Sequence, residues 1–173
     1  MGWNVGQNLN VATYQYADGS NFTLAGYDLK FKGGLGTFVG MGTDFESEPV
    51  GIIDLKESNT YRKGGLLGQN VRLRTKTNQD GLESTQVRVS PCTVNVPLKD
   101  GKTSLYVNPH YVGTYNYETK KWKNGAGIFF GGTYKINNDV SVSAEVQRYN
   151  LHEISDNSAA NWSGNVIFSV RLP

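Results

Sequence analysis

The sequence predicts an all-β protein, an antiparallel up-and-down meander of eight to ten strands closed into a β-barrel. Three observations carry that prediction. Apolar and small polar residues alternate with a period of two along most of the 173 residues, the pattern of strands that turn one apolar face to one side. The alternating segments are separated by short clusters of Gly, Asn and Asp, which punctuate strands with tight turns. Glycine (21) and tyrosine (10) are plentiful, charged residues make up only 18%, and no stretch keeps a helical period.

Taken in order, the first segment sets Leu9, Val11 and Thr13 against Asn8, Asn10 and Ala12, and runs through Tyr14 and Tyr16 into the turn Ala17-Asp18-Gly19-Ser20. The second sets Ala25, Tyr27, Leu29 and Phe31 against Gly26, Asp28 and Lys30. After Lys32-Gly33-Gly34, Leu35, Thr37, Val39 and Met41 alternate with Gly36, Phe38, Gly40 and Gly42. Glycines on one strand face read as relief of crowding where large side chains approach from across a barrel. Val50 to Glu57 reads equally as a short strand or as loop. From Gly65 to Thr77, Leu67, Val71 and Leu73 face away from Arg72, Arg74 and Lys76, and Asn78 to Gly81 turns the chain. Glu83 to Pro97 alternates around Val87 and Val89 until Pro91, which lacks an N–H for the ladder and predicts a bulge or an edge. Lys99 to Lys102 is the next turn.

The last third is the clearest. Leu105, Val107, Tyr111, Tyr115 and Tyr117 oppose Asn108, His110, Thr114 and Asn116; Ala126, Ile128, Phe130, Tyr134 and Ile136 oppose Gly127, Gly131, Thr133 and Lys135. Past the Asn137 to Asp139 turn, Val140, Val142, Ala144 and Val146 oppose Ser141, Ser143, Glu145 and Gln147. Trp162, Val166, Phe168, Val170 and Leu172 then oppose Ser163, Asn165, Ser169 and Arg171. Consecutive antiparallel strands of this kind make a meander. Counting Val50 to Glu57 gives ten strands; without it and one further ambiguous segment there are eight.

The length suits a single domain over residues 1–173, large enough to close a barrel. A formal charge of +2 and a pI near 8.6, with Lys and Arg scattered, argue against a nucleic-acid partner. Cys92 is alone, so no intramolecular disulfide forms and it reads as a strand residue. No apolar run reaches the length of a membrane-spanning helix. No phosphate-binding loop, dinucleotide fingerprint or zinc spacing is present, so no cofactor is expected.

Alternation leaves open which face looks inward. Three features put the apolar face against lipid. The polar faces carry Ser, Thr, Asn, Gln and isolated charges, sparser than the Lys and Glu of a solvated surface. Trp3, Tyr14, Tyr16, Tyr115, Tyr117, Trp122, Tyr134, Tyr149 and Trp162 fall near strand ends, where interfacial aromatic girdles sit. Strands of about 10 to 14 residues match a tilted bilayer crossing better than an ordinary soluble sheet.

With these features the chain resembles the small outer-membrane β-barrel proteins of Gram-negative bacteria, in a pattern that covers nearly its whole length. The final segment, Trp162 to Leu172, resembles the terminal strand of such proteins, with Leu172-Pro173 in place of a final aromatic. The resemblance implies an integral outer-membrane protein, structural or a narrow passive channel, monomeric, with the lipid bilayer or detergent as its partner. It also implies short periplasmic turns at Lys32 to Gly34 and Asn137 to Asp139, and outward loops at Thr119 to Asn124 and Leu151 to Ala160. The rival expectation is a soluble lipocalin-like barrel, secreted or periplasmic, that holds an apolar ligand against Tyr111, Phe130, Tyr134 and Phe168.

Lumen-facing polar candidates are Glu145, Arg72, Arg74, His110, Lys135 and Arg171. Pairing through the Asn137 to Asp139 turn puts Gly131 opposite Glu145, leaving room beside the carboxylate for a long basic side chain, for which Arg72 and Arg74 are the candidates. The alternative is a water-filled lumen that solvates Glu145. His110 and His152 have no converging partners of recognisable spacing, and His152-Glu153-Ile154-Ser155 reads as a solvated loop, so enzymatic activity is not expected.

Overall fold

Every alternating segment forms a strand, and the strands follow one another round a closed ring. In the computed structural model, which describes residues 4–17, 19–46, 48–60, 67–149 and 162–172, they are β1 (Asn4–Tyr16), β2 (Asn21–Phe31), β3 (Leu35–Thr43), β4 (Val50–Thr60) and β5 (Leu67–Asn78), then β6 (Gly81–Pro97), β7 (Thr103–Asn116), β8 (Lys121–Lys135), β9 (Val140–Tyr149) and β10 (Trp162–Leu172). All neighbours are antiparallel, and β1 pairs with β10 from Gln7↔Leu172 to Tyr16↔Ser163, which closes the barrel. The ambiguous Val50 to Glu57 segment is thus a strand and the count is ten: Gly51 and Ile52, Ile53 keep the two-residue period through Asp54, Leu55 and Lys56.

With ten antiparallel strands both chain ends lie at one end of the barrel, the terminal end, together with the β2–β3, β6–β7 and β8–β9 turns. The β2–β3 connection is a single 3₁₀ turn, Lys32–Gly34, in which Gly33 and Gly34 hold φ of 84° and 86°, a region open to glycine at little cost. The opposite, loop end carries the β1–β2, β3–β4, β5–β6 and β7–β8 connections.

Pro91 does produce a bulge. β6 is in register with β7 at Val89↔Tyr111 and again at Val94↔Val107, so five steps on β6 oppose four on β7. The expected outward loop over Thr119 to Asn124 is a correction. β8 starts at Lys121, and Asn116↔Lys121 and Tyr115↔Trp122 are in register, so only the tip of the hairpin is turn. The lysines flanking Trp122 obscured the strand, since they stand at its solvated end where backbone pairing continues.

The faces are inverted relative to a soluble protein. Val39, Met41, Ile53, Leu55, Tyr27 and Val166 are all about half exposed on the outside, whereas Asp54, Arg74 and Gln86 are no more than 4% exposed. Tyr14 and Tyr16, expected in an aromatic girdle, are buried in the lumen because they share the face of Asn10 and Ala12. Tyr117, Trp122, Tyr134 and Trp162 do face outward; Trp3 and the Tyr149 side chain lie outside the described residues.

The lumen is lined unequally. Over the loop-end half of β1 to β4 the inner wall is apolar, a cluster of Ala12, Tyr14, Tyr16, Phe22, Leu24, Phe38 and Ile52 with Val50 and Ile167 against it, while Asp28, Asp54 and Lys56 stand on the same strands nearer the terminal end. From β5 to β9 it carries Arg72, Arg74, Lys76, Ser84, Gln86, His110, Thr114 and Gln147. The glycines of the apolar wall explain its packing. A Cβ at Gly42 would stand 2.2 Å from the Phe22 ring, and one at Gly40 or Gly26 about as close to the Phe38 ring. Phe22 reaches from β2 to a glycine of β3, and Phe38 lies over Gly40 of its own strand and Gly26 of β2, so the rings lie along the wall, where the sequence suggested approach from across the barrel.

Candidate functional site: the barrel lumen

The polar half of the lumen is built from residues in register across β4 to β6. Asp54 on β4 stands opposite Arg74 on β5, and Arg74 donates two parallel hydrogen bonds to its carboxylate, Nε to Oδ1 and Nη2 to Oδ2, both at 2.7 Å. The planar guanidinium matches a carboxylate in just this fork. Both side chains are 4% exposed, so the pair is removed from water and each charge depends on the other. Arg72 donates to the Gln86 amide oxygen at 3.0 Å, and the Gln86 amide donates on to the Thr114 hydroxyl at 3.2 Å. At the loop end Lys76 donates to Glu83 at 2.8 Å.

Two long side chains cross a strand by lying over a glycine. Lys56 on β4 passes Gly36 on β3, where a Cβ would stand 3.4 Å from the lysine stem, and sets its ammonium 2.6 Å from Asp28 on β2. Tyr106 on β7 covers Gly131 on β8, where a Cβ would meet the ring at 2.5 Å, and its hydroxyl hydrogen-bonds Glu145 on β9. At Gly131 any Cβ would occupy the path of the crossing ring, whereas at Gly36 the lysine stem passes at ordinary contact distance.

Gly131 and Glu145 are in register, yet the space beside the carboxylate holds Tyr106, where the sequence suggested an arginine. Arg74 is held by Asp54 and Arg72 by Gln86. His110 stacks on Phe129 with ring centroids 4.4 Å apart, and Nδ1 is 3.3 Å from the Asn108 carbonyl. Arg88 on β6 lies over the same Phe129 ring, 4.9 Å from its centroid. Lys135 and Arg171 stand at the terminal end, where with Lys30, Asp28 and Asn8 they line a cavity of about 290 Å³. His152 and Glu153 lie outside the described residues, as does the Leu151 to Ala160 segment.

A second cavity at the terminal end, about 360 Å³, is lined by Asn70, Arg88, Asn95, Ser104, Tyr106 and Asn108 among others. Between the two halves of the wall a space of about 160 Å³ is lined by Tyr14, Phe38, Asp54, Arg72, Arg74 and Arg88 with their neighbours. The sequence reading missed Asp54, Gln86, Arg88 and Tyr106. Asp54 was legible once Val50 to Glu57 is a strand, for its register then sets it against Arg74; Tyr106 requires the three-dimensional path over Gly131. Tyr111, Phe130, Tyr134 and Phe168, the expected apolar ligand wall, are 44–49% exposed on the outside and line none of the three cavities described above.

The chain is thus a closed ten-stranded barrel with large apolar side chains outside and charged groups inside. No protein-family model and no curated protein matches the sequence. Among solved structures the chain is similar to the de novo designed protein TMB2.3, at 14% identity and a TM-score of 0.48, over 98% of this chain and 96% of that one. It is similar to Neisserial surface protein A at 11% identity and a TM-score of 0.36, over 98% and 95%. A loop-deletion form of OmpT, an outer membrane protein of Vibrio cholerae, is 16% identical with a TM-score of 0.41, over 94% of this chain and 62% of that one.

Proposed function

We propose that this chain is an integral protein of a bacterial outer membrane, a monomeric and non-enzymatic barrel whose role is structural. The observation that carries the reading is the inversion of its faces: large apolar side chains line the outside while the Asp54–Arg74 pair is buried inside. In water that exterior is unfavourable, at roughly 25 cal/mol for each Å² of apolar surface left exposed; in hydrocarbon it is the expected surface. Strands of 9 to 17 residues are long enough to cross, since a tilted strand needs about 9 to 11. No helix among the described residues is long and apolar enough to span a membrane. Closure leaves no unpaired edge for a second chain to extend, which favours a monomer.

The narrowed middle of the lumen favours a structural role over an open channel. Tyr14, Phe38 and the arginines meet there around the smallest of the three cavities, and a small barrel's interior is expected to fill with side chains. The test is folding and conductance together. The purified chain should require detergent, run at a different gel mobility when unheated, and give no steady single-channel current in planar bilayers. A monodisperse monomer in plain buffer would overturn the membrane reading. Steady conductance in the folded barrel would replace the structural role by a narrow passive channel.

A further inference from the structure

We propose that the middle of the lumen is a binding site for one small inorganic anion of the size of chloride or phosphate. The argument begins with register. Lys56 on β4 stands directly opposite Arg72 on β5, and Arg72 directly opposite Arg88 on β6. Three cations therefore occupy one row on adjacent strands, where side chains of directly paired residues lie roughly 5 Å apart at Cβ and like charges repel. All three line the 160 Å³ cavity, with Arg74 and Asp54 beside them.

The carboxylates near this row are Asp28, which meets Lys56, Asp54, which is taken by Arg74, and Glu145, which accepts from Tyr106. Among the described residues the four cations Lys56, Arg72, Arg74 and Arg88 thus face three carboxylates. The inequality is one of charge and does not depend on any side chain lacking a hydrogen-bond partner. An arginine cannot relieve it by losing a proton, and Arg72, 7% exposed, holds its charge largely away from water, which is costly. A counter-anion removes the cost. The cavity is large enough for one with several waters, at about 30 Å³ for each water in the liquid, and Asn10, Asn70 and Tyr14 add neutral hydrogen-bonding groups to its wall.

The test uses the full chain folded in detergent, with unfolding followed by gel mobility while sodium chloride replaces the sodium salt of a bulky organic sulfonate at constant ionic strength. A single site selective for the native state predicts that the folding constant rises about tenfold for each tenfold of chloride above the dissociation constant. In Arg72→Gln the dependence should be flat, and in Glu145→Gln it should be steeper at low chloride. Inorganic phosphate in place of chloride ranks the two anions. Bromide soaked into crystals gives an independent readout, with an anomalous peak expected between Arg72 and Arg88 in the parent and none in Arg72→Gln. A parent barrel insensitive to chloride and phosphate, with no bromide peak, would overturn the site while leaving the membrane reading intact. A chain soluble in plain buffer would do the reverse, and the same titration applies to it.

Discussion

The two halves of the lumen face the same space but are built on different physics. Over the loop-end half of β1 to β4 the inner wall is a small apolar core, with Phe22 and Phe38 lying over Gly42, Gly40 and Gly26. From β5 to β9 it is a network of charges and amides, Arg74 on Asp54, Arg72 on Gln86 and Gln86 on Thr114. The outside is apolar around both halves, with Val39 and Met41 on β3 and Val71 and Leu73 on β5. The difference teaches that the requirement on such a barrel is asymmetric. Its exterior must be apolar everywhere, whereas its interior must only be filled and internally satisfied, by rings against glycine or by ions against ions.

The sharpest way to break the comparison is in the polar half. Asp54→Asn removes one partner of a fully buried pair and leaves Arg74 charged in the lumen, so unfolding in detergent should be easier by about 3 to 5 kcal/mol. A change below about 1 kcal/mol would mean that water reaches the pair and that the polar half is a solvated channel wall. Next in size are charges placed outside. Val39→Arg and Val71→Arg should each cost about 2 to 4 kcal/mol near the bilayer midplane, and should cost the same although their inner walls differ. A large inequality between them, in denaturant titrations of lipid-folded protein, would show that the two exteriors are not equivalent.

Glycine seats give a smaller effect. Gly40→Ala in the apolar half sets a methyl 2.4 Å from the Ala25 carbonyl oxygen and 2.6 Å from the Phe38 ring. Overpacking of this kind costs about 1 to 3 kcal/mol. Gly131→Ala in the polar half should cost a similar amount and also detach Tyr106 from Glu145, which a shift in the near-ultraviolet tyrosine signal would report. Equal spectra for parent and Gly131→Ala would sink the role given to that seat.

The smallest effect lies outside the wall, in the β6–β7 turn. The backbone N–H and hydroxyl of Thr103 donate to Asp100, and the Lys102 N–H adds a third bond. These hydrogen bonds from Thr103 favour the carboxylate and lower its pKa from the ordinary value. Because the folded pKa lies below the unfolded one, near 3.9, the turn contributes stability above the unfolded value and loses it as pH falls through the folded value. Asp100→Asn should flatten that narrow acid-side window in a pH series of unfolding midpoints; an unchanged slope would refute it.

How much was legible varied with the element. β7 to β10 could be read residue by residue, and the Gly131↔Glu145 register followed from the short Asn137 to Asp139 turn. β5 was equally plain, because Val71 and Leu73 outside and Arg72 and Arg74 inside differ as much as residues can. β3 was opaque as to its interior: Gly36, Gly40 and Gly42 carry no side chain to read, and their meaning lies in the Phe22 and Phe38 rings and the Lys56 stem laid over them. Tyr14 and Tyr16 were misplaced because an aromatic near a strand end satisfies both an interface and a core, and only the parity of β1 assigns them to the lumen.

By itself the sequence determined the strand class, most of the turn positions and a break in the ladder at Pro91, for these depend on backbone preferences and a two-residue period that act locally. Only the tertiary structure decided that Tyr106 reaches Glu145, that Asp54 takes Arg74, and that Lys56, Arg72 and Arg88 share one row. Partnership across a closed ring depends on the register between strands and on which neighbour lacks a Cβ, and neither is a property of any one segment.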